Sequence, residues 1–166
     1  LSITQLPAPG TTLSGSNTEE VITLKVTDAS GNSAQCTFKV TLEDQIQPQI
    51  ICPADQELVA DATCSVAIPD YTGDATISDN CAPNADITVT QSPATGTILQ
   101  GHNTSQVITL TADDGNGNMQ SCTFITTVKD EAIPDLTCPA DVTLTTDGNC
   151  DVSLPNFIVQ STISDN

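Results

Sequence analysis

Apolar and polar residues alternate in short runs along this chain, and each run ends in a cluster of Gly, Pro, Asn or Asp. Val21-Ile22-Thr23-Leu24-Lys25-Val26-Thr27 sets Ile22, Leu24 and Val26 on one face. Cys36-Thr37-Phe38-Lys39-Val40-Thr41-Leu42 does the same with Cys36, Phe38, Val40 and Leu42. Side chains alternate faces in a strand, so both runs read as half-buried strands, joined by the turn residues Asp28-Ala29-Ser30-Gly31-Asn32-Ser33. Leu1-Ser2-Ile3-Thr4 alternates likewise until Pro7, Pro9 and Gly10 break it. Further strands are predicted at Ile50-Ile51-Cys52, Leu58-Val59-Ala60, Cys64-Ser65-Val66-Ala67-Ile68, Ala75-Thr76-Ile77-Ser78 and Asp86-Ile87-Thr88-Val89-Thr90. Three more lie between Gly96 and Gly101, at Val107-Ile108-Thr109-Leu110-Thr111-Ala112 and at Cys122-Thr123-Phe124-Ile125-Thr126-Thr127-Val128. No run keeps a helical period. About seven or eight short strands per unit, rich in Thr, Val and Ile, predict an all-β fold, a two-sheet antiparallel β-sandwich.

The pattern repeats. Asp44-Gln45-Ile46-Gln47-Pro48-Gln49-Ile50-Ile51-Cys52-Pro53-Ala54-Asp55 returns as Asp130-Glu131-Ala132-Ile133-Pro134-Asp135-Leu136-Thr137-Cys138-Pro139-Ala140-Asp141, 86 positions later. Cys36 and Cys122, Cys64 and Cys150, and the pentapeptides Thr76-Ile77-Ser78-Asp79-Asn80 and Thr162-Ile163-Ser164-Asp165-Asn166 keep the same offset without a gap. A fixed period of domain size predicts tandem modules. Residues 1–43 read as the C-terminal part of one module, 44–128 as a complete one and 129–166 as the N-terminal part of the next. The chain is therefore expected to be an excerpt of a longer array, with each acidic, proline-stiffened Asp…Pro stretch as a seam.

Charge narrows the function classes. Three basic residues against 21 acidic ones give a net charge of −18. Nucleic-acid phosphates need Lys and Arg, and a polybasic membrane contact needs them too, so the charge argues against both. No apolar run approaches the roughly 20 residues of a membrane-spanning helix. Such a surface suits a solvated extracellular protein or one that collects cations.

Seven cysteines recurring at fixed places point to disulfides and an oxidising, extracellular compartment. The lone histidine, His102, and the lack of any Cys-x-x-Cys pair argue against zinc. The complete module holds Cys52, Cys64, Cys81 and Cys122, which allow three connectivities. Pairing Cys52 with Cys122 and Cys64 with Cys81 ties the opening strand to the closing one and staples the module to itself. Cys36, Cys138 and Cys150 then pair outside the window, Cys150 with a residue expected next to Asn166. The rival, Cys36–Cys52 with Cys122–Cys138, spans the seams. Strand parity fits either scheme. An aliphatic core with only three Phe and one Tyr needs such covalent help.

Taken together, the seam with Cys-Pro, then Asp79-Asn80-Cys81, then Val107-Ile108-Thr109-Leu110-Thr111-Ala112-Asp113-Asp114-Gly115-Asn116-Gly117-Asn118, then Cys122-Thr123-Phe124, resemble the hyalin repeat (HYR) domain. The likeness spans the whole chain, and its motifs are informative only in combination. It implies an immunoglobulin-like, extracellular module in which the Cys-Pro and Cys-x-Phe cysteines, here Cys52 and Cys122, recur together. The Cys64–Cys81 pair looks like the additional bridge of bacterial versions. The loop Asp113–Asn118 is richer in acid than the usual form, to which Asp28-Ala29-Ser30-Gly31-Asn32 is closer. Threonine-rich, acidic HYR arrays resemble the giant surface adhesins of gliding Bacteroidota, of the SprB type. The resemblance implies structural modules of a cell-surface filament used in adhesion or gliding motility.

One stretch carries candidate chemistry. Asp113, Asp114, Asn116 and Asn118 put side-chain oxygens on a Gly-rich loop, and Glu43, Asp44 and Asp130 lie at the seams. Hard cations such as Ca²⁺ take six to eight oxygen ligands, so loop and seam could share a calcium ion. Against this, Asp, Asn and Gly also simply make turns. Asn103-Thr104-Ser105 fits a glycosylation acceptor, though in a bacterial chain it reads as a turn. A Ser–His–Asp site would rest on His102, which is Ser16 in the preceding repeat, and no enzyme is expected. The expected partners are neighbouring repeats and other filaments. The rival function is a calcium-dependent glycan- or surface-binding module. Scarce aromatics weigh against sugar stacking, and Tyr71, matched by Phe157, is expected to face the core. A weaker idea is strand exchange between modules through open sheet edges.

Overall fold

The structure, a computed structural model, describes residues 1–165. Asn166, the last residue of the second Thr-Ile-Ser-Asp-Asn, lies outside the described residues. The described chain is all-β, with a single 3₁₀ turn at Ile158–Gln160. None of its helices is long and apolar enough to cross a membrane.

β1 (Ser2–Leu6), β2 (Glu19–Thr27) and β3 (Ser33–Thr41) form an antiparallel sheet in that order. The central part of the chain is built from β4 (Gln49–Ile51), β5 (Gln56–Val59), β6 (Ser65–Ala67), β7 (Thr76–Ser78), β8 (Thr88–Ser92), β9 (Ile98–Gln100), β10 (Ser105–Asp113) and β11 (Met119–Lys129). One sheet runs β5-β11-β10-β8. Two strand pairs, β4 with β7 and β6 with β9, complete the fold, which is consistent with a β-sandwich. The expected antiparallel pattern needs one correction: β5 runs parallel to β11, with Leu58 opposite Val128. β5 follows β4 directly, so the chain leaves β4 and joins the other sheet as its edge strand. β12 (Asp135–Thr137) and β13 (Thr162–Ser164) pair alone near the end of the chain.

The pairings keep the spacing seen in the sequence. Ile22 faces Phe38 as Ile108 faces Phe124, and Ser2 faces Thr27 as Thr88 faces Asp113. Gln49 faces Ser78 as Asp135 faces Ser164.

The core follows from the alternation in β10 and β11. Ile108, Leu110 and Ala112 are fully buried, and so is Val128. They meet Ile50, Ile68, Tyr71, Ile87 and Leu99 from the strand pairs and loops across the core. Each fully buried aliphatic side chain contributes on the order of 2 kcal/mol. Tyr71 faces inward as expected, 6% exposed, with its ring edge-on to Phe124 at 5.0 Å between centroids. Burial, reinforced by the charge of Asp74, raises the Tyr71 hydroxyl's pKa.

Cys52, just after β4, is bonded to Cys122 in β11, with Cα atoms 5.7 Å apart. This excludes the seam-spanning pairing of Cys36 with Cys52 and Cys122 with Cys138. The predicted Cys64–Cys81 bridge is also absent. The reason is distance along the unit. The carbonyl of Cys64 accepts the Gly101 N–H (2.9 Å), and the N–H of nearby Asn103 bonds to Val128, so Cys64 lies where β10 begins. Cys81 follows Asp79, whose carboxylate lies within 4.8 Å of that of Asp114, just past the end of β10. Nine residues of strand separate the two ends. At about 3.3 Å per residue that is on the order of 26 Å, whereas a disulfide needs Cα atoms within about 7 Å. Cys36, Cys138 and Cys150 carry no disulfide within the chain.

Candidate functional site

The strongest cluster of functional groups sits where residues 43–48 pass the tip of the β10–β11 hairpin. Its first member is made by a local turn. Asp114 leaves β10 and folds its carboxylate back into its own loop. Oδ1 accepts the N–H groups of Asn116 (2.7 Å) and Asn118 (3.1 Å), and Oδ2 accepts the Asn118 side-chain amide (2.7 Å). Gly115 and Gly117 supply the left-handed backbone angles (φ +75° and +100°) that so tight a loop needs. Asp28 builds the same turn with Asn32, accepting its N–H at 2.8 Å and its side-chain amide at 2.9 Å. The geometry is thus encoded by Asp and Asn four positions apart rather than by packing. Burial works to raise the Asp114 pKa, but donation from Asn118 and from the backbone outweighs it, and the carboxyl stays below its ordinary value.

Two further carboxylates converge on it. Asp79 Oδ1 accepts the N–H groups of Cys81 and Ala82, both at 2.8 Å. Asp44 Oδ1 accepts the Ile46 N–H (3.1 Å), and its carbonyl accepts the Asn118 amide (3.1 Å). The carboxylates of Asp44, Asp79 and Asp114 all lie within 4.8 Å of one another. Asp44 Oδ2 and Asp79 Oδ2 are shielded from solvent and accept no hydrogen bond. Lys39 is engaged with Glu19, and Lys129 with Glu57 and Glu131, so no ion pair among the described residues offsets the triad. Three carboxylates this close repel one another unless a proton or a cation intervenes. Converging, unpartnered carboxylate oxygens suit a hard cation such as Ca²⁺, with water completing the shell.

Of the residues that the sequence nominated for calcium, the structure brings together Asp44 and Asp114. Asn118 is beside them, but its amide donates to both and holds them in place. Asn116 Oδ1 instead accepts the Asn17 side chain (2.8 Å), a contact between the first hairpin and this loop. Asp113 Oδ1 is occupied by the Gly115 N–H (2.8 Å), and Glu43 is exposed. Asp130 lies at the far end of β11, where its N–H donates to His102 Nδ1 (3.1 Å). The residue that sequence reasoning missed is Asp79, named only as part of the repeated pentapeptide and the Asp79-Asn80-Cys81 motif. The signal was present: β7 pairs antiparallel with β4, whose start adjoins the seam, so the residue after Ser78 must return to the seam.

Cys81 stands beside the triad. Burial, and then the charges of Asp44, Asp79 and Asp114, raise its thiol pKa. Together with Leu13, Ser14, Gly15 and Ser16 it lines a cavity of about 350 Å³.

A cation here predicts a measurable effect. With calcium at about 100 times its dissociation constant, the melting temperature of the chain should rise by about 10 °C. Asp79→Asn keeps the oxygen that accepts the two backbone N–H groups and replaces the unpartnered one with an amide. It should abolish the rise. Calorimetry with and without calcium checks this, and an equal rise in the variant would remove the triad from consideration.

Compared with known proteins, the chain matches no family model and no curated protein sequence.

Proposed function

We propose that the chain is a stretch of a tandem array of immunoglobulin-like modules, with a period of 86 residues, resembling hyalin repeats. The array serves as a structural part of an extracellular cell-surface filament or adhesin, of the kind used in surface attachment or gliding. The observation that carries this reading is the contrast between corresponding positions. Phe124 is 5% exposed and Phe38, 86 positions before it, is 50% exposed. In the central unit a second layer covers β10 and β11. In β2 and β3 Ile22 alone of the same apolar face is buried; the rest is half-buried or exposed, around a cavity of about 310 Å³ lined by Ile3, Leu24, Val26, Ala34 and Cys36. Such a face calls for the other half of a module.

The acidic triad supports a structural role over a ligand-binding one. The unpartnered oxygens of Asp44 and Asp79 are turned away from solvent. A cation held there would fasten the seam to the hairpin tip and limit bending between modules, rather than bridge to a glycan. Tyr71, buried against Phe124, offers no stacking surface.

Antibodies raised against residues 44–128 test the reading. Labelling of intact, unpermeabilised cells of the source organism is the expected result, in extended surface structures that external protease removes. Labelling only after permeabilisation would overturn it.

A further inference from the structure

We infer that Cys81 is one half of a disulfide between successive modules, its partner being the cysteine at the Cys64 position of the module before it. Cys64 then bonds in the same way to the module that follows. The inference rests on the array reading above.

The two cysteines lie at opposite ends of the central unit, Cys64 where β10 begins and Cys81 beyond where it stops. Stacked end to end, each unit therefore presents one of them to each neighbour. The junction in the structure shows where they meet. Cys81 lines one cavity with Leu13, Ser14 and Gly15. The counterparts of those residues, 86 positions on, are Leu99, Gln100 and Gly101. In the central unit Leu99 and Gln100 pair with Val66 and Ser65, and the Gly101 N–H donates to the Cys64 carbonyl at 2.9 Å. The equivalent strand of the preceding module therefore lies against Leu13–Gly15, and its cysteine faces Gly15, in the space that Cys81 borders. A disulfide there requires the two Cα atoms to stand about 4.4–6.8 Å apart across that space.

The turn that carries Cys64 gives independent support. Asp61 Oδ1 accepts the N–H groups of Thr63 (2.8 Å) and Ser65 (3.2 Å), and Asp147 Oδ1 does the same for Asn149 (2.8 Å) and Asp151 (3.1 Å). Both turns hold their cysteine at positive φ, Cys64 at 52° and Cys150 at 66°. Gly or Asn would fill that conformation at lower cost. A cysteine held there twice, on a turn at the end of a unit, is explained by what its sulfur must reach.

The bond forms by exchange with a disulfide oxidant, the same class of reagent that makes Cys52–Cys122. One thiolate attacks the oxidant's disulfide to give a mixed disulfide, and the second thiolate displaces the oxidant sulfur. Two thiols become one disulfide, and the oxidant leaves as a dithiol carrying the two electrons and two protons.

Disulfide mapping of the full-length protein, alkylated before any reduction, tests this. Trypsin is unsuitable, because the three lysines leave residues 40–129 as one peptide with all four cysteines. A protease cutting before Asp separates residues 61–69 from 79–85. The expected result is the 79–85 peptide joined to a Cys64-type peptide whose mass differs from that of 61–69. Recovery of 79–85 alkylated, or joined to 61–69, would overturn the inference. In Cys81→Ser, one thiol should become alkylated, in the preceding module; no new reactive thiol is the contrary result. If the protein holds no further repeats, the array reading fails and this inference with it. If repeats are present and 79–85 is alkylated, the bridge alone fails.

Discussion

Replacing Cys52 and Cys122 together by serine lowers the stability of the central unit by about 4 kcal/mol, a fall in melting temperature on the order of 20 °C. The bond closes a loop of 70 residues, so most of its effect lies in the unfolded chain, which loses the freedom to separate β4 from β11. The native state loses little, because both half-buried positions accept the smaller hydroxyl. Cys36→Ser, at the corresponding position of the first hairpin, is the control: its thiol is exposed and unbridged, and its loss should change the melting temperature by less than about 2 °C. Calorimetry of the three chains in oxidising buffer gives the comparison. A double variant that melts with the parent would mean that the bridge does not form in solution.

Phe124→Ala costs about 3–5 kcal/mol, whereas Phe38→Ala costs less than about 1 kcal/mol. The two residues share strand position and register, each opposite an Ile of the neighbouring strand. They differ in cover. Phe124 stacks edge-on against Tyr71 inside the core, so truncation opens a cavity and removes the ring contact. Phe38 has no such cover, and its truncation removes little buried area. Urea denaturation of both variants measures the difference. Equal losses would show that the first hairpin is covered in solution by something other than the rest of this chain.

The alternation of Ile22, Leu24 and Val26, and of Ile108, Leu110 and Ala112, made the long strands legible, because a period of two shows in the sequence itself. Parity also put Cys36, and through the repeat its counterpart Cys122, on the apolar face of the strand. It could not place Cys64 and Cys81, since parity reports which face a residue takes and not which end of the unit it occupies. The parallel seat of β5 was hidden for a related reason: its partner β11 lies about 70 residues away and leaves no mark on Gln56–Val59. Beyond residue 137 the sequence repeats the strands seen at β5 and β6, yet the structure has none there. In the central unit those strands pair with β11 and β9, and residues 138–161 have no such partners within the chain. β12 and β13 form because each finds the other. At the candidate site, Asp114 and Asp44 were legible from the acidic loop and the seam. Asp79 joined them only once β7 was paired with β4.

The Cys52–Cys122 bond has a mechanical consequence. Tension entering through β4 reaches Cys52 before β5, crosses the bond to Cys122 and leaves through the end of β11. β5 lies inside the closed loop, so its parallel pairing with β11 is not pulled apart through its own backbone. The 70 residues between the two cysteines, about 240 Å of extended chain, stay out of the line of pull. The unit can lengthen only by the short segments on either side.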